Sequence, residues 1–302
     1  MSDRILVPLD GSPLAEQALG CAITLARALP AELVILRAVS IPPDTQEVLN
    51  SAGLEVAELR EQVEEEASTY LREVASELQD AHLSVRQVVR HGPPSEAIVD
   101  YAAQQDIRQI VMTTHGRTGI SRWTHGSVAE RVLQASSVPV LMVRAEERDL
   151  HISPPRVALH RILVPLDGST VAEQVLPPVT EIALALDAEI VLFQVPIIHV
   201  SGSLSGDWYL PIHGVLDTAV QDAEAYLDGT AAGLSEQGVS VSTATRIGGV
   251  AESIIGYTQA NRVDLIAMCT HGRTGLGRWI LGSVADRVLR GSRVPILLVR
   301  AS

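Results

Sequence analysis

Two hydrophobic rhythms alternate along the chain. Short unbroken apolar runs, such as Ile5 to Val7 and Leu33 to Leu36, are separated by longer stretches in which apolar residues return every three or four positions. Runs of that length bounded by turn residues read as strands buried on both faces, and the longer period reads as amphipathic helix. After Ile5-Leu6-Val7, the residues DGSP open a helix with Ser12 as its N-cap and Pro13 at its first position. Leu33 to Leu36 forms the second strand. Leu54, Val56, Leu59, Val63 and Ala67 then mark a helix over 54–79. A third strand spans Leu83 to Arg90, and a turn (HGPPS) leads to a helix through AIVDYAAQQ. The fourth strand lies in Ile107 to Thr113 and the fifth in Val138 to Val143. Strands separated by helices predict a five-stranded parallel α/β sheet with helices on both faces. In such sheets ligands bind beyond the carboxyl ends of the strands. The loops PLDGS and TTHGRTG leave such ends.

The chain is written twice. RILVPLDGS at 4–12 recurs letter for letter at 161–169, and THGRTG at 114–119 recurs at 270–275. VPVLMVRA at 138–145 returns as VPILLVRA at 294–301. The order is kept, so the repeating unit is a whole domain. The expected division is a first domain over 1–146, a linker over 147–158 and a second domain over 159–302. The charged, then Ser-Pro-Pro, stretch EERDLHISPPRVAL at 146–159 marks the boundary. The halves diverge most in their middles, where SGSLSGDWYLPIHG at 201–214 reads as a longer surface loop before a helix.

Composition narrows the chemistry. Of 302 residues 46% are apolar but only 3% aromatic, so both cores must be aliphatic. The net charge of −13 argues against a nucleic-acid partner, which needs a basic surface. All 23 basic residues are Arg. Without Lys there is no P-loop or kinase-type phosphate lysine and no Schiff base. Cys21 and Cys269 lack metal-ligand spacing and suit a reduced compartment. The first residues show no signal-peptide pattern, and no apolar run approaches membrane-spanning length. The expectation is a soluble, cytoplasmic protein that engages no membrane.

The second loop at full length, MTTHGRTGISRWTHGSVAERV, and its copy, MCTHGRTGLGRWILGSVADRV, both pass through closely spaced glycines to Gly-Ser before an amphipathic helix. Glycines let the backbone approach a ligand, and a helix start presents N–H groups, so Ser127 and Ser283 mark a place for phosphate. The plainer alternative makes these serines N-caps and the glycines turn residues. Arg117 and Arg273 are either phosphate partners or solvated loop charges. His115 and His271 have no second ligand at metal spacing and read as loop residues. SGSLSG has Leu204 where a nucleophile elbow needs Ser, and GRTGLG is not the dinucleotide fingerprint. Trp123 and Trp279 read as interface or core-edge residues rather than a base-stacking platform.

With Gly116 to Gly126 and Gly272 to Gly282 both separated by nine residues and followed by Ser, the chain resembles the universal stress protein family. Nucleotide-binding members of that family carry G-x-x-G, nine residues, then G-[ST]. The resemblance covers both halves and implies two tandem Rossmann-like domains of the adenine nucleotide α-hydrolase type, binding ATP, ADP or AMP. Carried over by position, the base and ribose contacts are Pro8, Leu9, Asp10, Ser12 and Val39, with Pro165, Leu166, Asp167, Ser169 and Val195. The phosphate loop maps to Thr113, Thr114, His115, Gly116, Arg117, Thr118 and Gly119 with Gly126, Ser127 and Val128. In the second half it maps to Cys269, Thr270, His271, Gly272, Arg273, Thr274 and Gly275 with Gly282, Ser283 and Val284. Asp10 or Asp167 would support Mg²⁺ through water. Thr113 and Cys269 replace the first glycine of the pattern, and a Cβ there costs strain if the position needs positive φ. His125 stands where the copy has Leu281. The resemblance also implies that the terminal strands pair with each other, within the chain or in a homodimer, which would cover an exposed sheet edge. Three functions follow: a nucleotide-binding stress-response regulator with little or no hydrolysis, an adenylyl-transferring enzyme of the α-hydrolase type, or an interaction module with non-functional pockets.

Overall fold

The computed structural model describes residues 3–42, 44–45, 51, 56–79, 83–114, 126–145, 157–196, 212–271 and 281–301. In chain order the strands are β1 (Arg4–Pro8), β2 (Glu32–Val39), β3 (Val85–His91), β4 (Ile107–Thr113) and β5 (Val140–Val143). They are followed by β6 (Arg161–Pro165), β7 (Glu189–Gln194), β8 (Val241–Thr245), β9 (Leu265–Cys269) and β10 (Ile296–Val299). The chain divides into two compact units, 1–158 with 295–300, and 159–294 with 301–302.

In the first unit the strand order is β3-β2-β1-β4-β5, every pairing parallel. The unbroken apolar runs become the sheet interior because helices cover both faces. Ile5, Leu6 and Val7 are fully buried, as are Leu33, Val34 and Ile35. The helix Val56–Gln79 contacts β2 and β3, and Pro94–Gln104 contacts β2 and β4. Beside β5 lies β10, antiparallel, with Leu297 opposite Leu141 and Ile296 opposite Met142. The aliphatic edge that VPVLMVR would leave open is thereby covered. The last strand of the chain thus supplies the partner that the terminal strand of the first half needs.

The second unit repeats the plan with order β9-β6-β7-β8, again parallel. Phe193, the one Phe of the chain, is fully buried on β7. Strand register gives the correspondence between units. Pro8 pairs with Leu36 and Pro165 with Phe193, so Leu36 and Phe193 are equivalent positions. By the same count Arg37 corresponds to Gln194, Ala38 to Val195 and Val39 to Pro196. Among the described residues no helix is long and apolar enough to cross a membrane. Residues 147–156 of the linker and most of 201–214 lie outside the described residues.

Candidate functional site

The Asp-Gly-Ser loops are built identically. Asp10 Oδ1 accepts from Ser12 N–H at 2.9 Å and from the Ser12 hydroxyl at 2.6 Å. Ser12 Oγ in turn accepts from Ala15 N–H at 3.2 Å, capping the helix Pro13–Glu16. In the second unit Asp167 Oδ1 accepts from Ser169 N–H at 3.0 Å and its hydroxyl at 2.5 Å, and Ser169 Oγ accepts from Ala172 N–H at 3.2 Å. Such a tight turn needs a left-handed residue between Asp and Ser, and Gly11 (φ 82°) and Gly168 (φ 79°) supply it. Each loop is tied to the sheet one residue earlier, Leu9 N–H to Leu36 O and Leu166 N–H to Phe193 O, both at 2.8 Å.

The glycine loops close in the same way in both units. Gly126 N–H donates to Thr114 O at 2.9 Å, and Gly282 N–H donates to Thr270 O at 2.8 Å. The N-cap position of the following helices, Ser127–Ala135 and Ser283–Gly291, belongs to these glycines, and no side chain caps either helix. Ser127 and Ser283 are therefore first helical residues rather than caps, exposed at a helix start whose leading N–H groups have no intrahelical acceptor. At Gly282 a Cβ would stand 2.9 Å from Thr270 O, a backbone atom that cannot give way cheaply. Glycine is required there by close approach.

In the second unit these parts meet around one cavity of about 270 Å³. Of the positions expected from sequence, Pro165, Leu166, Asp167, Val195, Cys269, Thr270, His271, Gly282, Ser283 and Val284 line it. Ser169 acts from behind, through Asp167. The wall also includes Ala172, Phe193, Val250, Ile254, Met268 and Ala285, which sequence reasoning missed. Alternation along β7 and β9 would have suggested Phe193 and Met268. Nothing local signals Val250 and Ile254, which come from the helix Val250–Ala260. Behind the wall Phe193 packs on Tyr257 with ring centroids 5.0 Å apart, and the Arg246 guanidinium lies 5.5 Å from the Tyr257 centroid. The cavity is thus apolar on one side, with Asp167, Thr270, His271 and Ser283 supplying polar atoms. Thr270 Oγ1 and His271 Nδ1 share a hydrogen bond at 3.1 Å.

Thr113 and Cys269 end their strands and are buried, and neither has positive φ. The strain that a Cβ would bring to a left-handed position does not arise. Cys269 Sγ–H donates to Ala172 O at 3.5 Å, and burial pushes its thiol up to about 11, so the cavity wall carries no thiolate at neutral pH.

In the first unit Pro8, Leu9, Asp10, Ser12, Thr113, Thr114, Gly126, Ser127 and Val128 occupy the corresponding strand ends, loop and helix start. Val39 is one residue past the equivalent of Val195 and lines a separate hollow of about 330 Å³ with Ser40, Arg60, Val63 and His91. His115 to Gly119, Gly272 to Gly275, Trp123, His125 and Trp279 lie outside the described residues.

The sequence profile of the universal stress protein family matches residues 1–144 and again 158–300. The chain belongs to that family. It is 30% identical over 146 residues to universal stress protein MJ0531 of Methanocaldococcus jannaschii, a match spanning 48% of this chain and 84% of that protein. Universal stress protein Slr1230 of Synechocystis is 24% identical over 98% of this chain and 99% of its own length, so the tandem arrangement of universal stress domains has a full-length counterpart. Among solved structures, a universal stress protein from Archaeoglobus fulgidus superposes with a TM-score of 0.70 at 21% identity, covering 100% of this chain and 97% of that one.

Proposed function

We propose that this universal stress protein binds an adenine nucleotide, ATP or its diphosphate or monophosphate, in each unit and acts as a stress-response regulator with little or no hydrolysis. The observation that carries this reading is the cavity of the second unit, where an apolar wall meets an uncapped helix start across a glycine that admits no side chain. Purine and ribose suit the wall, and phosphate suits the N–H groups at Ser283. Thr113 to Gly119 with Gly126, Ser127 and Val128, and Cys269 to Gly275 with Gly282, Ser283 and Val284, form the two phosphate loops in this reading. Asp10 and Asp167 each offer one carboxylate near them, which fits a Mg²⁺ that arrives bound mainly to phosphate oxygens. The reading takes 1–146 and 159–302 as the two nucleotide domains, in a cytoplasmic protein able to self-associate.

The test is isothermal calorimetry of nucleotide-stripped protein with ATP and Mg²⁺, paired with mass spectrometry of nucleotide released on denaturation. Two binding events per chain are expected. No bound nucleotide and no binding heat would leave the pockets non-functional and end this reading.

A further inference from the structure

One contact behind the Asp-Gly-Ser loop occurs in both units. The Tyr70 phenol donates to Glu16 Oε1 at 2.8 Å, and the Tyr226 phenol donates to Glu173 Oε1 at 2.8 Å. Each glutamate sits four residues past the serine that the loop aspartate holds. Each tyrosine comes from the long helix of its unit, Val56–Gln79 or Ile212–Ser235. The turn at the glutamate is four residues long in both units, α-helical over Pro13–Glu16 and 3₁₀ over Ala172–Val175. Each turn runs into a longer helix, Ala18–Ala28 or Leu176–Leu186, so its free side is the one that faces the Asp-Gly-Ser loop. The tyrosine ties that turn to the long helix of its unit. Burial, the glutamate and the neighbouring loop aspartate all push both phenols far above the ordinary tyrosine range. Both therefore remain hydrogen-bond donors throughout the physiological pH range.

We propose that Tyr70 and Tyr226 are positioning residues for the nucleotide sites, each holding its Asp-Gly-Ser loop in the ligand-receiving conformation through Glu16 or Glu173. This inference rests on the nucleotide reading above for its link to affinity, and on the loop geometry alone for its link to order. The two ties differ in strength. In the first unit the Arg37 guanidinium lies 5.0 Å from the centroid of the Tyr70 ring, a second restraint on that side chain. The position in register with Arg37 is Gln194, a neutral side chain whose buried Oε1 has no hydrogen-bond partner. In that register position the second unit has Gln194 rather than a cation, so it depends more on its phenol.

Amide hydrogen exchange on the full chain without nucleotide tests the loop order. Tyr226→Phe raises exchange at residues 168–172 about tenfold, the loss of roughly one charge-assisted hydrogen bond, and leaves the helix Val250–Ala260 unchanged. Tyr70→Phe has a smaller effect at residues 11–15. Calorimetry tests the link to binding. Tyr226→Phe and Glu173→Ala weaken ATP at one site by about tenfold, whereas Glu173→Gln, which still accepts the phenol's bond, stays near wild type. Unchanged loop exchange in both tyrosine variants overturns the proposal. So does faster exchange spread through the whole second unit, or altered loop exchange with unaltered affinity. Wild-type protein that binds no ATP overturns the nucleotide reading instead, and the exchange measurement then decides by itself whether the tyrosines hold the loops.

Discussion

The two units share their turns and differ in their walls. Asp10 and Asp167 make the same bonds, Gly126 and Gly282 close onto Thr114 and Thr270, and Tyr70 and Tyr226 reach the equivalent glutamates Glu16 and Glu173. Around that shared frame, Leu36 corresponds to Phe193, Ala38 to Val195, Arg37 to Gln194 and Thr113 to Cys269. The difference teaches which positions carry backbone geometry and which carry only volume. A residue that fixes a turn or a close approach has few substitutes, while a wall position accepts any side chain that fills the space. Under the proposed nucleotide reading, the units are expected to differ in affinity rather than in which part of the ligand they recognise.

The largest effect comes from breaking the shared frame. Gly282→Val places atoms against Thr270 O, where even a Cβ stands 2.9 Å away, and should abolish one of two binding events while the other persists. Gly126→Val should do the same for the first unit. Calorimetric stoichiometry reads both, and if both variants keep two sites the phosphate-loop assignment is wrong. A middle-sized effect comes from exchanging walls. Phe193→Leu makes the second unit resemble the first and should cost about 1–2 kcal/mol of stability from lost volume, with weaker ATP binding at that site only. Denaturant titration and calorimetry measure these, and an unchanged affinity would show that the wall does not touch the base.

The smallest effect concerns the thiol. The Cys269 pKa is raised from 9.0 to about 11 by burial, so its neutral form stabilises the fold. That contribution is whole below pH of about 9 and is lost as pH climbs toward about 11, because the unfolded chain releases the proton first. Cys269→Thr, which copies the first unit, should flatten the fall of melting temperature between those values by about 2 °C. Parallel melting curves for wild type and variant would remove the burial argument.

Much of this architecture was legible in the chain. Unbroken apolar runs marked β1, β2, β4 and β5, because a strand covered on both faces has no polar positions. The third strand was placed two residues early and ended one residue early, at Arg90 rather than His91. Its burial pattern is mixed, so periodicity bounds it poorly. The loops were legible because the chain spells them twice, and their closing hydrogen bonds join residues two to twelve apart along the chain. Val39 shows the limit. The family resemblance set it beside Val195, but the repeat RILVPLDGS and the strand register both pair Val195 with Ala38, and Val39 lines a different hollow. One residue of slip on a strand changes the face, and pairing with β1 and β6 agrees with the count that the repeat gives.

Turn chemistry and strand periodicity were therefore written in the residues themselves, since both depend on neighbours close along the chain. The cavity wall was not. Val250 and Ile254 lie more than 50 residues from Phe193, and Tyr226 lies 53 from Glu173. Contacts at that separation leave no period and no spacing to read, because they exist only once the helices have packed against the sheet. Tertiary packing also decided that β10 pairs antiparallel with β5 within the chain, where the sequence left pairing within the chain and pairing in a homodimer both open.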